Sequence, residues 1–245
     1  MQKNIQLSDI SIKVVRKNIK NTHLSVYPPN GRVILVTPKK TRFEVARAYA
    51  VSKLNWIRAQ QIKFKEQVRE FPLKFINRES HQLWGRRYLM KINYKDEKPF
   101  VVLSNKYIIL TVRPRSSLAK RAEVIHNWHK MLLHTFVSEL IQKWETKLNI
   151  KVSGYFLRRM KTRWGSCNKS AGNIRLNTEL VKKPKDLVEY VVMHEMAHLI
   201  EPKHNNSFIK ILNKHYPFWR DARSELNQLP LAAEVLTKQV DKDKC

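Results

Sequence analysis

The chain has 245 residues, enough for one large domain or two modest ones around a sizeable buried core. Its 42% apolar content excludes a disordered polymer, and no apolar run is long enough to span a membrane. Lys and Arg number 48 against 20 acidic residues, a net charge of +28 spread along the chain instead of gathered in a tail. That charge is either a solvated basic surface or an attraction to nucleic acid or another polyanion. The first residues lack the charged, apolar, then small-residue order of a signal peptide, and two cysteines, Cys167 and Cys245, make no disulfide framework, so a cytoplasmic setting is expected.

Short β-rich runs come first: "SIKVV", "HLSVY" and "RVILVT" within residues 11–37, with "PPNG" at 28–31 as the turn of a hairpin. Thr41 then opens a long stretch in which Phe43, Val45, Ala46, Tyr49, Ala50, Leu54 and Ile57 recur at helical spacing. A second β-rich block follows, with "RYLMKINY" (87–94), "FVVLS" (100–104) and "YIILTVR" (107–113). Beyond Pro114, the spacing of Ala122, Ile125, Met131, Leu132, Phe136, Leu140 and Trp144 predicts a helix over 118–148. Residues 173–180 read as a strand, 184–200 as a helix, and 205–215 and 217–228 as two further helices. No internal repeat is visible. The pattern predicts an α+β protein: a β-rich N-terminal region with one long helix over 1–115, a helix-dominated region over 116–228, and a loosely attached tail over 229–245.

The chemistry concentrates in "VVMHEMAHLIEPKH", residues 191–204. His194, Glu195 and His198 spell His-Glu-x-x-His, and on a helix the two histidines lie one turn apart on one face, able to reach a single ion. Glu195 is rotated about 100° from His194, beside the ion and not on it, where it can take a proton from water acidified by the metal. His204 follows His198 by six residues. Were the helix to continue, His204 would be turned by about 240° and displaced by about 9 Å. Pro202 breaks the helix at Glu201, because the residue before a proline avoids the α conformation, and the chain can fold back. Three protein ligands with a fourth position open to water is the pattern of a catalytic zinc site.

The His-Glu-x-x-His spacing with a third His six residues on is shared with metzincins, but those carry glycine where Glu201 stands and need a methionine turn downstream. The last methionine here is Met196, which excludes that group. The segments "RRMKTRWGSCNKSAGNIRLNTEL" (158–180) and "VVMHEMAHLIEPKHNNSF" (191–208) together resemble the YgjP-like metallopeptidase family, bacterial zincins related to the SprT-like group. The matching positions are Trp164–Gly165–Ser166–Cys167, then Ile174, Leu176 and Asn177, then His194, Glu195, His198 and His204. The chain departs in "HNNSF", where a serine directly after the third His is expected. The resemblance implies a zinc-dependent hydrolase of peptide or protein substrates with a zincin-like catalytic part. It also implies an edge strand before the active-site helix, whose Asn173, Ile174, Leu176 and Asn177 would pair with an extended substrate.

The remaining candidates carry less. His126, His129 and His134 have helical spacing but no carboxylate partner and read as surface or packing histidines. Glu225 is a reserve third ligand and Asp221 a reserve orienter of a ligand imidazole. Cys167 reads as a small residue in a turn, and Arg163, His215 and Tyr216 are equal candidates for polarising a carbonyl oxygen. The competing function is a basic nucleic-acid-binding protein whose metal site is structural or vestigial. A purely structural zinc site usually carries four protein ligands and needs no adjacent glutamate, which favours the enzyme.

Overall fold

In β2 (Ile10–Lys17), Ile10, Ile12 and Val14 face inward and alternate with Ser11 and Lys13, the period-two pattern of a half-buried strand. β2 pairs antiparallel with β1 (Lys3–Leu7) across a two-residue turn and parallel with β4 (Arg32–Pro38), which in turn pairs antiparallel with β3 (His23–Tyr27). The strand order is β1-β2-β4-β3. Ala46 and Ala50 of α1 (Phe43–Ser52) and Ile57 of α2 (Leu54–Glu66) join Ile5, Ile12 and Leu35 in one core. The single helix expected from Thr41 onward is thus two. The break is at Lys53, whose amide takes the tighter bond to the Ala50 carbonyl (3.2 Å).

The computed structural model describes residues 3–27, 30–66, 73–160 and 163–229; Pro28 and Pro29 of the expected turn and the tail from residue 230 lie outside them. Two compact units result, Met1–Val68 and Arg69–Cys245. The expected division at 115/116 falls inside the second unit.

That unit opens with β5 (Ser80–Leu83), β6 (Arg86–Tyr94), β7 (Phe100–Leu103) and β8 (Tyr107–Val112), in the order β5-β6-β8-β7. The pairing senses repeat those of the first sheet: antiparallel, parallel, antiparallel. A helix follows in both cases. The chain therefore does contain an internal repeat, one of topology, and the expectation of none is corrected. Met90, Ile92, Ile108 and Leu110 fill the inner face, and Ile125 of α3 (Leu118–Leu148) packs with them. α3 starts where the Ser117 hydroxyl accepts from the Lys120 amide and stops at Asn149, in the left-handed region that Asn tolerates. The β5–β6 turn needs Gly85, at φ 76°, because a Cβ there would lie 2.8 Å from the Pro184 ring.

A third sheet holds β9 (Gly154–Arg158), β10 (Gly165–Asn168) and β11 (Asn173–Asn177), in the order β10-β11-β9. β9 and β10 are short and were not expected. Their presence corrects the reading of β11 as an edge: its backbone is paired on both sides, with β10 antiparallel and β9 parallel. Ile174 and Leu176 lie in the core and Asn177 is 0% exposed. Among the described residues the two edge strands of this sheet are β10 and β9. A 3-10 turn (Thr178–Lys182) leads to α4 (Lys185–Ile200), followed by α5 (Asn206–His215) and α6 (Trp219–Gln228). The fold is α+β, and no described helix is long and apolar enough to cross a membrane.

Candidate active site

α4 is apolar on nearly every side. Val188, Val192, Met193, Met196 and Ala197 are fully buried, so the helix runs through the core, and its polar residues must find partners there. It ends as Pro202 dictates: Glu201 is extended (φ −123°, ψ 106°), with its amide still bonded to the Ala197 carbonyl (3.0 Å). The return is pinned at both ends. The Glu201 carboxylate accepts from the Lys203 amide (3.1 Å), and the Asn205 side chain caps α5 by accepting from the Phe208 amide (3.1 Å).

His204 is carried back between these two anchors. Its Nε2 lies 3.2 Å from Nε2 of His194 and 3.2 Å from Nε2 of His198. Three imidazole nitrogens at such spacing repel unless a cation or proton lies among them. A tetrahedral zinc bound at 2.0–2.1 Å would separate its nitrogens by about 3.3 Å, so the donor set fits that ion. Among the described residues these three form the single cluster of His, Cys, Asp or Glu side chains able to converge on one ion.

The rings are held from behind. His198 Nδ1 lies 3.1 Å from the Glu201 carbonyl; donating there leaves the Nε2 lone pair free for a metal. Tyr190 places its hydroxyl 3.5 Å from His194 Nδ1. Phe208, 1% exposed, touches all three imidazoles, with ring centroids 5.1, 4.5 and 4.9 Å from those of His194, His198 and His204. Burial drives the His194 pKa down to about 3, helped by the charges of His198, His204 and Arg223, and burial also lowers that of His198. Both are neutral at neutral pH, the form that binds metal.

Glu195 is 7% exposed, and burial pushes its pKa up to about 7 against the opposing charge of Arg163. The space for its carboxylate comes from Gly165 of β10. A Cβ on Gly165 would lie 2.6 Å from both Cγ and Oε1 of Glu195.

Other candidates are placed elsewhere. Glu225 and Asp221 of α6 are exposed and outside the histidine cluster. The Tyr216 hydroxyl donates to the Asp186 carbonyl (3.0 Å), and Cys167 has its pKa raised to about 11, by burial first and by Glu195 second, which keeps it a thiol. His129 is buried, His126 is exposed, and His134 packs on Tyr155. Phe208 and Gly165 had drawn no role in the sequence. Phe208 has a local signal, an apolar residue one turn before Leu212 behind the Asn205 cap. Gly165 has none, since its contact with Glu195 spans 30 residues.

Comparison with known proteins follows this geometry. The YgjP-like, metallopeptidase domain family matches residues 21–229. No curated protein matches. Among solved structures, the metallopeptidase zymogen of Pyrococcus abyssi abylysin is 19% identical, with a TM-score of 0.36, over 39% of this chain and 99% of that one. The metallopeptidase zymogen of Methanocaldococcus jannaschii jannalysin is 20% identical, with a TM-score of 0.34, over 38% of this chain and 94% of that one. With the family match extending over most of its length, the chain belongs to the YgjP-like metallopeptidase family and is a metal-dependent peptidase.

Proposed function

We propose that the metal is zinc, held by His194, His198 and His204, and that Glu195 is the general base of peptide-bond hydrolysis. The observation that carries this is the meeting of three Nε2 atoms at a helix on which a buried carboxylate, Glu195, directly follows the first of the three histidines. Zinc held by these residues would supply Lewis acidity, to polarise the scissile carbonyl and to acidify the attacking water. Glu195 accepts the attacking water's proton and returns it to the leaving nitrogen, acting as general base and then as general acid. Of the two edge strands, β10 is the one whose Gly165 lies against Glu195, and its outer edge is where an extended peptide adds as a further strand, in place of the paired Asn173–Asn177. Glu195→Gln keeps the side-chain volume but cannot take a proton. It should retain zinc and lose at least about a hundredfold in peptide hydrolysis. Undiminished zinc-dependent cleavage by that variant would sink the mechanism.

A second reading adds a partner. The +28 charge favours nucleic acid as a polyanionic surface to which the peptidase is drawn, in a cytoplasmic setting. Affinity for generic duplex DNA should fall steeply between low and physiological salt, because bound counterions are released. Binding that is absent at low salt, or flat with salt, removes nucleic acid from the account.

A further inference from the structure

Asn177 does more than end β11. Its wholly buried side chain uses all four of its hydrogen-bonding positions. Oδ1 accepts from the Met160 amide (3.2 Å) and the Glu179 amide (3.2 Å), while Nδ2 donates to the carbonyls of Met160 (2.8 Å) and Arg163 (2.9 Å). Its own amide donates to the Trp164 carbonyl (2.8 Å). A buried amide satisfied in this way fixes its partners, and losing the donations would leave buried carbonyls unpaired.

Three of those partners belong to one stretch of chain. Met160, Arg163 and Trp164 lie on the connection that leaves β9 at Arg158 and enters β10 at Gly165, passing the end of β11. Where β10 begins is therefore set by the bonds to Asn177. What begins there is Gly165, the residue whose missing Cβ makes room for the Glu195 carboxylate. Arg163, the last carbonyl that the Asn177 side chain holds, is two residues from that contact, and Trp164, held by the Asn177 amide, is next to it.

We propose that Asn177 is a positioning residue for the peptidase reaction: it fixes the first residues of β10 so that Gly165 leaves the Glu195 carboxylate its place beside the three histidines. This rests on the reading of Glu195 as the base. It replaces a direct substrate contact, which a 0% exposed side chain with four internal bonds cannot make. None of the bonds of Asn177 reaches His194, His198 or His204, so its loss should spare the metal.

Three variants test it: Asn177→Asp, Asn177→Ala and Gly165→Ala. Each is measured for zinc content, for amide hydrogen exchange over 159–168 and over α4, and for kcat and KM on one peptide chosen from a library cleaved by the wild type. Asn177→Asp keeps the two acceptor bonds and loses both donations. It should hold zinc as the wild type does, exchange faster over 159–168 with α4 unchanged, and lose about tenfold or more in kcat with KM within about threefold. Asn177→Ala should follow in the same direction. Gly165→Ala leaves Asn177 intact, and its new methyl meets the Glu195 side chain first, so it decides the matter if the buried variants fail to fold. It should lower kcat by about tenfold or more with zinc retained and exchange over 159–168 unchanged.

A wild-type kcat in Gly165→Ala overturns the proposal. So does loss of zinc, of α4 protection and of activity in step in the Asn177 variants, which would make the residue a general part of the core. A raised KM with unchanged kcat would return Asn177 to substrate contact. Glu195→Gln separates the levels: if it is inactive while Gly165→Ala and Asn177→Asp keep wild-type kcat, this proposal alone falls; if it is itself active, the base reading falls first.

Discussion

The sheet of β1–β4 and the sheet of β5–β8 are built alike and used differently. In both, the second and fourth strands run parallel at the centre, with Ile12 beside Val33 in one and Met90 beside Ile108 in the other. Val14 beside Leu35 is matched by Ile92 beside Leu110. Both first hairpins turn through a residue in the left-handed region, Ser8 (φ 54°) and Trp84 (φ 50°). The difference begins at that turn. The amides of Trp84 and Gly85 donate to the carbonyls of Val181 and Lys182, just ahead of α4, and the Trp84 ring meets Phe136 of α3 edge-on. The second sheet is thus tied into the framework of the active site, whereas the first closes on α1 and α2. One topology serves as a self-contained module in one place and as a support for a catalytic helix in the other.

The strongest way to break this comparison is to remove matched core residues. Leu35 and Leu110 are each 0% exposed, and either Leu→Ala change should cost about 2–5 kcal/mol. Under the proposed zinc site, the metal would bind only the folded second unit and should restore much of the thermal stability lost in Leu110→Ala, by mass action, while leaving the loss in Leu35→Ala in place. Melting curves with and without zinc read this directly. Equal rescue of both variants would mean that the two regions are not distinct in their relation to the metal.

A smaller effect sharpens the comparison through pH. The first unit's one histidine, His23, is exposed. In the second, burial holds the His129 pKa down to about 3, with the charges of Lys182, His81 and His126 acting in the same direction. The folded state then binds fewer protons than the unfolded chain between about pH 3 and pH 6.5. Stability present above pH 6.5 is therefore lost as pH falls, by up to about 1.4 kcal/mol per unit for this group. Unfolding of the metal-free protein at pH 6.5 and pH 5.0 should show the second unit weakening more than the first, and His129→Leu should reduce that slope. Equal acid sensitivity in the two units, or an unchanged slope in the variant, counts against this account.

How much could be read from residues alone divides along a physical line. The helix of His194 and His198, its stop at Pro202 and the return of His204 follow from local rules, because helical spacing and the restriction before proline act over a few residues. The repeated sheet was invisible since Ile12 and Met90, or Val33 and Ile108, share only an inward position and an apolar character. β1, β5, β9 and β10 span five, four, five and four residues, too short for alternation to stand out. The expectation of β11 as the edge has the same cause: β10 is too short to show in the residues, and a single visible strand before α4 reads as an edge. The contacts of Gly165 with Glu195 and of Phe208 with the three imidazoles depend on tertiary packing, which periodicity does not encode.

α3 runs for 31 residues, about 46 Å at the α-helical rise. Near its start Ile125 belongs to the core beneath the β5–β8 sheet, while from Leu133 to Leu148 it belongs to the core around α4. Trp128, between them, packs against both. A helix propagates order along its length, so neither core can melt without fraying the rod that the other is built on. The second unit should thereby gain cooperativity from a single element, its two hydrophobic cores unfolding on heating as one foldon, with no stage at which the histidines are assembled and the sheet is lost.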